Sequence, residues 1–231
     1  MEEILIANKL SKQYTRKKAL NAVDIRLEKG KILGLLGPNG GGKTTFLKIA
    51  AGILSSTSGE MLIDGKKPGI YTKSIVSYLP DVNYLYKWMR IKDSVEFFKD
   101  FYEDFDVVKA KELLEFMKLD ENAKIKTLSK GMLEKLHLSL VLSRKAKLYI
   151  LDEPLAGVDP TAREKIIDAI LNNFNEDSSM IITTHLVNDV ERLFDQVAFI
   201  NNGEILLRGD AEELRRTRGC SIDALFREVF K

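Results

Sequence analysis

Hydrophobic positions along the chain follow two alternating rhythms. Near the start, Ile4-Leu5-Ile6 and the in–out series Val23, Ile25, Leu27 read as strands with one buried face. Ile32-Leu33-Gly34-Leu35-Leu36 is apolar throughout and stops at Gly37-Pro38, and residues 148–151 and 180–184 share that look. Short runs with no polar face are what central parallel strands, covered on both sides, require. Residues 161–174 lie between the last two, with Ile166, Ala169, Ile170 and Phe174 at helical spacing. Strand, helix, strand in that order predicts a parallel sheet with crossover helices. From about residue 80 to 144 the rhythm is helical only. Val95, Phe98, Phe101 and Tyr102 share one face, Val108, Leu113, Leu114 and Met117 a second, and Met132, Leu136 and Leu140 a third. Near the end, two apolar runs flank Asn201-Asn202-Gly203, a hairpin signal, and residues 211–218 and 222–230 read as helices. The organisation expected is one α/β domain: core about 1–80 and 145–207, an inserted helical lobe about 81–144, and a helical tail about 208–231.

Composition narrows the class. The 231 residues carry 45% apolar and 30% charged side chains, ordinary globular usage with enough length for a real core. The balance of 36 basic against 34 acidic residues, +2, offers little to a polyanion, so no nucleic-acid partner is expected. A single cysteine, Cys220, allows no internal disulfide and points to a reducing compartment. The start lacks a signal-peptide pattern, and no apolar run approaches the ~20 residues of a membrane span. The expectation is a soluble, cytoplasmic protein whose membrane business, if any, runs through partners.

Gly37-Pro38-Asn39-Gly40-Gly41-Gly42-Lys43-Thr44 fits G-x-x-x-x-G-K-[ST] between a buried strand and a helix. Glycines let successive N–H groups turn inward around an anion, and the helix adds its positive end. Lys43 suits the β- and γ-phosphates, and the Thr44 hydroxyl, with Thr45 next to it, suits Mg²⁺ and nucleotide. The strand at 148–151 ends in Asp152-Glu153, and ligands gather at the carboxyl ends of parallel strands. Asp152 can hold Mg²⁺ through its water shell, and Glu153 can polarise an attacking water.

With these motifs the sequence resembles the ATP-binding subunits of ABC transporters, over essentially the whole chain. Leu128-Ser129-Lys130-Gly131-Met132 is similar to the family signature LSGGQ at three of five positions. The resemblance implies that Ser129, Lys130, Gly131 and Met132 serve the nucleotide of a second ATPase subunit, in a head-to-tail homodimer or heterodimer. It implies that Asp159, in a segment like the D-loop, couples the two sites, that His185 is the switch histidine, and that Tyr14 stacks on adenine. For His137, inside the third helix, a structural role is expected. The fold implied is a P-loop NTPase of ABC type: a RecA-like parallel-sheet core, an antiparallel β lobe and the helical lobe. ATP and Mg²⁺ are the cofactors implied.

Four positions depart from the pattern. Asp81 stands where the family commonly has glutamine and can ligate Mg²⁺ in its place, Lys130 and Met132 replace glycine and glutamine, and Ala156 replaces a common serine. The resemblance, closest to small bacterial multisubunit systems that are often exporters, implies transmembrane permease subunits. These would dock near residues 83–89, rich in aromatics, and hold the ATPase at the inner face of the membrane. Two alternatives stand beside transport: a soluble ABC-type ATPase, and an ATP-dependent clamp or regulator with little turnover. Neither substrate nor direction is readable.

Overall fold

A computed structural model describes residues 2–174 and 177–231. Strands β1 (Glu3–Gln13) and β2 (Lys18–Glu28) form an antiparallel hairpin, and β4 (Ser58–Ile63) pairs with the other edge of β1 in a three-stranded sheet. A second sheet runs in the order β5-β6-β7-β3-β8-β9. Its members are β3 (Ile32–Leu36), β5 (Val76–Leu79), β6 (Leu148–Asp152), β7 (Ser179–Thr184), β8 (Gln196–Asn201) and β9 (Glu204–Asp210). All neighbours pair in parallel except β8 and β9. The continuous apolar runs occupy the interior positions β6, β7 and β3, and every residue in them is buried. That is why these strands lack a polar face. Edge strand β9 instead alternates half-buried and exposed positions.

Helices α1 (Lys43–Ala50) and α2 (Ile70–Ile75) follow the first strands. The lobe contains α3 (Ile91–Phe101), α4 (Val107–Phe116) and α5 (Lys130–Leu142), with no strand between them. Asp106 caps α4 by accepting from the Lys109 N–H, and Ser129 caps α5 by accepting from the Met132 N–H. From Leu136 onward α5 is buried on all sides, and its leucines share one contiguous core with Leu79 and Leu151 of the sheet. The lobe is thus welded to the sheet by α5. Two of the expected core positions fall elsewhere: Phe101 and Val108 are 69% and 68% exposed. Phe101 packs beside Phe97 at 4.5 Å on the lobe surface.

Crossover helix α6 (Pro160–Asn173) links β6 to β7, capped by Asp159, which accepts from the Ala162 N–H. A short helix, α7 (Val187–Val190), follows β7. The β8–β9 hairpin turns through Asn202 (φ 49°) and Gly203 (φ 79°), two consecutive left-handed residues that match the sheet twist. Strand β9 continues to Asp210, and the tail helices α8 (Ala211–Arg218) and α9 (Ile222–Val229) begin there. Among the described residues no helix is long and apolar enough to cross a membrane.

Candidate functional site

Sheet register brings the polar chemistry to one edge. Leu36 at the end of β3 is level with Thr184 of β7, and Asp152 of β6 is level with Thr183. The phosphate loop, Asp152-Glu153 and His185 therefore leave the sheet side by side. The loop closes tightly on its surroundings. Gly40 and Gly42 have φ of 78° and 117°, where an L side chain is strained. A Cβ on Gly37 would lie 2.1 Å from the Ile200 carbonyl oxygen. The Gly41 N–H donates to the Pro38 carbonyl at 3.1 Å. The β8–β9 turn braces the loop from outside: the Gly203 N–H donates to the Gly41 carbonyl at 2.8 Å. This brace joins segments far apart in sequence and had no local signal.

Lys43 is only 6% exposed. Its ammonium donates to the Gly37 carbonyl at 2.7 Å and lies 3.5 Å from Glu153 Oε1. Glu153 adopts φ 53°, a left-handed conformation rare for a residue with a side chain. Its N–H donates to the Thr183 hydroxyl at 3.0 Å, and its Oε2 lies 2.8 Å from His185 Nδ1. Such strain persists where surrounding structure over-determines a residue, commonly at active sites.

Asp152 is buried, and burial raises its carboxyl pKa while the Thr183 and Thr44 hydroxyls oppose the rise. Thr183 Oγ1 donates to Oδ1 at 2.6 Å, leaving Oδ2 buried without a hydrogen-bond partner. A buried carboxylate oxygen beside a threonine hydroxyl is a hard donor pair suited to Mg²⁺. Among the described residues no cluster of three His, Cys, Asp or Glu could hold a metal ion alone. The pair would need phosphate oxygens and waters to complete octahedral coordination.

A cavity of about 450 Å³ opens over the loop. Pro38, Asn39, Gly40, Gly42 and Lys43 line its floor, and Thr44 and Thr45 continue it into α1. Tyr14, from the β1–β2 hairpin, stands at one side, 43% exposed, and Asp81, just beyond β5, and Glu153 close the other. Asp81 thus reaches the same cavity as the phosphate loop. One further lining residue, Lys17, had no motif to announce it.

Nine expected residues do not line this cavity: Gly37, Gly41, Asp152, Asp159, His185 and the four at the start of α5. Ser129, Lys130, Gly131 and Met132 form the first turn of α5, where a Cβ on Gly131 would meet nothing within 4 Å. Lys130 folds across Gly157, its Cε 2.6 Å from where a Cβ would stand there. Asp159 is placed as the cap of α6. His137 is buried, stacks on Tyr84 at 4.6 Å, and its Nε2 lies 3.1 Å from Asn83 Oδ1. Burial pushes its pKa down to about 4.

Between the sheet and the lobe lies a mostly apolar groove of about 600 Å³. Ile53, Val82 and Tyr84 line it, and the first two are 61% and 60% exposed. Of the aromatic stretch 83–89, Leu85 and Met89 are buried in the lobe, and Trp88 borders a different cavity.

The family model described as ABC transporter matches residues 20–156. An uncharacterised ABC transporter ATP-binding protein of Bacillus subtilis, YxlF, is 33% identical over 227 residues, covering 96% of this chain and 76% of that protein. The linearmycin resistance ATP-binding protein LnrL of the same organism is 31% identical, covering 91% and 70%. Among solved structures, the ATP-binding subunit of an ABC transporter is 25% identical with a TM-score of 0.89, covering 99% of this chain and 100% of that one. A dimeric ATP-binding cassette in a post-hydrolysis state, bound to ADP and Pi, has a TM-score of 0.80 at 21% identity, covering 89% and 98%. The chain belongs to the ABC transporter family, as one of its ATP-binding cassettes, the ATPases coupled to transport.

Proposed function

We propose that the chain is the ATP-binding and hydrolysing subunit that powers transport of a substrate through separate transmembrane subunits. Two ATPase chains close head to tail on ATP, and hydrolysis opens them. The observation that carries this reading is the division of the site. The cavity holds the phosphate loop, Glu153 and Asp81 but lacks the α5 turn, whose Gly131 faces open space. A helix N-terminus with an open glycine suits a phosphate brought by a second chain.

In and around this cavity the roles divide by chemistry. Lys43 and the loop N–H groups neutralise phosphate charge, Tyr14 stacks on the base, and Asp152 with Thr44 holds Mg²⁺. The metal held by these two residues would supply positive charge to offset that of the phosphates. Glu153 polarises the attacking water, and His185, tied to Glu153, senses the γ-phosphate. Asp159 couples the two sites across the dimer. The groove beside Ile53 and Val82 is a seat for a transmembrane partner, because exposed apolar side chains in a concave surface favour a protein contact. That partner places the chain at the cytoplasmic face of a membrane. The resistance function in the name of LnrL favours export.

The test is the mass in solution of wild-type and Glu153→Gln protein by light scattering, with and without Mg·ATP, with ATP binding measured in parallel. The expected result is an ATP-dependent dimer for the variant and a monomer for the wild type, which hydrolyses its ATP. If both bind ATP and neither dimerises, self-association is refuted and a different second ATPase chain is required.

A further inference from the structure

Arg16, Lys17 and Lys18 are consecutive in the sequence, yet the structure separates the three. Tyr14 and Lys17 close the tip of the β1–β2 hairpin: the Tyr14 N–H donates to the Lys17 carbonyl at 2.8 Å, and the Lys17 N–H to the Tyr14 carbonyl at 3.2 Å. Residues that exchange both backbone bonds across a hairpin send their side chains to one face. Tyr14 and Lys17 both line the cavity over the phosphate loop, and Arg16 and Lys18 do not. The Lys17 ammonium sits 3.4 Å from the Gly40 carbonyl and 3.7 Å from where a Gly40 Cβ would stand. The Lys12 ammonium lies 5.5 Å from the centroid of the Tyr14 ring, so a cation already attends that ring.

From this arrangement we propose that Lys17 is a second phosphate-binding cation of the nucleotide site, acting on the phosphates nearest the nucleoside. The proposal rests on the reading of the cavity as the ATP site. Lys43 is buried beneath the loop beside Glu153, at the hydrolytic end. Lys17 stands on the rim, in the same hairpin tip as Tyr14. A nucleotide whose base lies on Tyr14 and whose terminal phosphate faces Lys43 passes its α- and β-phosphates beneath Lys17. The short loop of the ammonium onto a carbonyl costs little to break, and a phosphate oxygen is the stronger acceptor. Because Lys17 is exposed, its contribution weakens as salt rises.

Binding of ATP, ADP and adenosine to wild-type, Lys17→Ala and Lys17→Arg proteins, measured by calorimetry at low and high salt, tests this. Lys17→Ala is expected to weaken ATP and ADP by about tenfold each and leave adenosine unchanged. Lys17→Arg should restore most of the affinity, and high salt should shrink the difference. Equal weakening of adenosine would overturn the proposal, because the residue would then act through the hairpin or the base. So would unchanged ATP affinity in Lys17→Ala. Failure of the wild-type protein to bind ATP would overturn the reading of the cavity itself, and this proposal with it.

Discussion

Arg144 sits where the lobe meets the sheet, and its side chain is 3% exposed. Its guanidinium grips Asp104 with two bonds, Nε to Oδ1 at 2.9 Å and Nη2 to Oδ2 at 3.1 Å. It also donates to the Val76 carbonyl at 2.7 Å and the Ser74 carbonyl at 2.8 Å, and lies 3.9 Å from the Tyr102 ring centroid. The Tyr149 hydroxyl donates to its backbone carbonyl. One side chain thus joins the α3–α4 loop, the start of β5 and the end of α2. Replacing it by alanine leaves the Asp104 carboxylate, 24% exposed, without its partner. Breaking a pair this deeply buried costs about 3–5 kcal/mol. The two freed carbonyls add to that, but their losses overlap with the first, so about 4–5 kcal/mol is the expected total for Arg144→Ala. For a chain of this size about 1 kcal/mol moves Tm by ~2–4 °C, so the midpoint should fall by roughly 10–15 °C. Thermal and urea unfolding of Arg144→Ala, Arg144→Met, Asp104→Leu and Arg144→Met/Asp104→Leu give the measurement, with the last three and the wild type closing the cycle. The double variant has no stranded charge and should be more stable than the sum of single losses by at least ~2 kcal/mol. A loss below about 1 kcal/mol in Arg144→Ala, or simple additivity, would refute the reasoning.

Two other outcomes follow from single residues. The folded-state pKa of His137 is depressed from 6.5 to about 4, so the unfolded chain takes up its proton first as pH falls. Stability from this residue is complete above pH 6.5 and declines down to pH 4, by about 3 kcal/mol in all. His137→Gln should lose that part of the pH dependence, and a parallel pair of stability-against-pH curves would count against it. Glu153 holds φ 53°, so Glu153→Gly should unfold at higher denaturant than Glu153→Ala, by about 1 kcal/mol, with ATPase activity absent in both. Equal stability would mean the backbone there is unstrained.

What the sequence disclosed depended on how far its signals were local. The buried strands 148–152 and 179–184 show themselves because a strand covered on both faces has no polar position. Strand β4, with Ser58, Gly59 and Glu60 at its exposed start, and four-residue β5 carry no such run, and neither was foreseen as a strand. Phe101 and Val108 have the right helical spacing and the wrong side, since periodicity marks a face without saying what covers it. The phosphate loop is contiguous, so it was legible, as was Asp152-Glu153 at a strand end. The Gly203 brace on that loop and the reach of Lys17 depend on tertiary contacts between distant segments. The 2.8 Å approach of His185 to Glu153 follows from parallel register, which a list of motifs does not contain.

Helix α5 has two ends with different company. Ser129 and Gly131 stand at its start, and Val141 at its far end borders the groove between sheet and lobe. Its 13 residues span about 20 Å at 1.5 Å per residue. His137 midway ties it to Asn83 and to Tyr84, which lines the same groove. A packed helix of this length moves as a stiff rod and cannot shorten at one end without shifting at the other. A displacement imposed on the groove by an occupant would therefore be expected at the Ser129 turn, about three helical turns away. Linkage makes the traffic two-way: if ligand at one end alters affinity at the other, the reverse holds by the same factor.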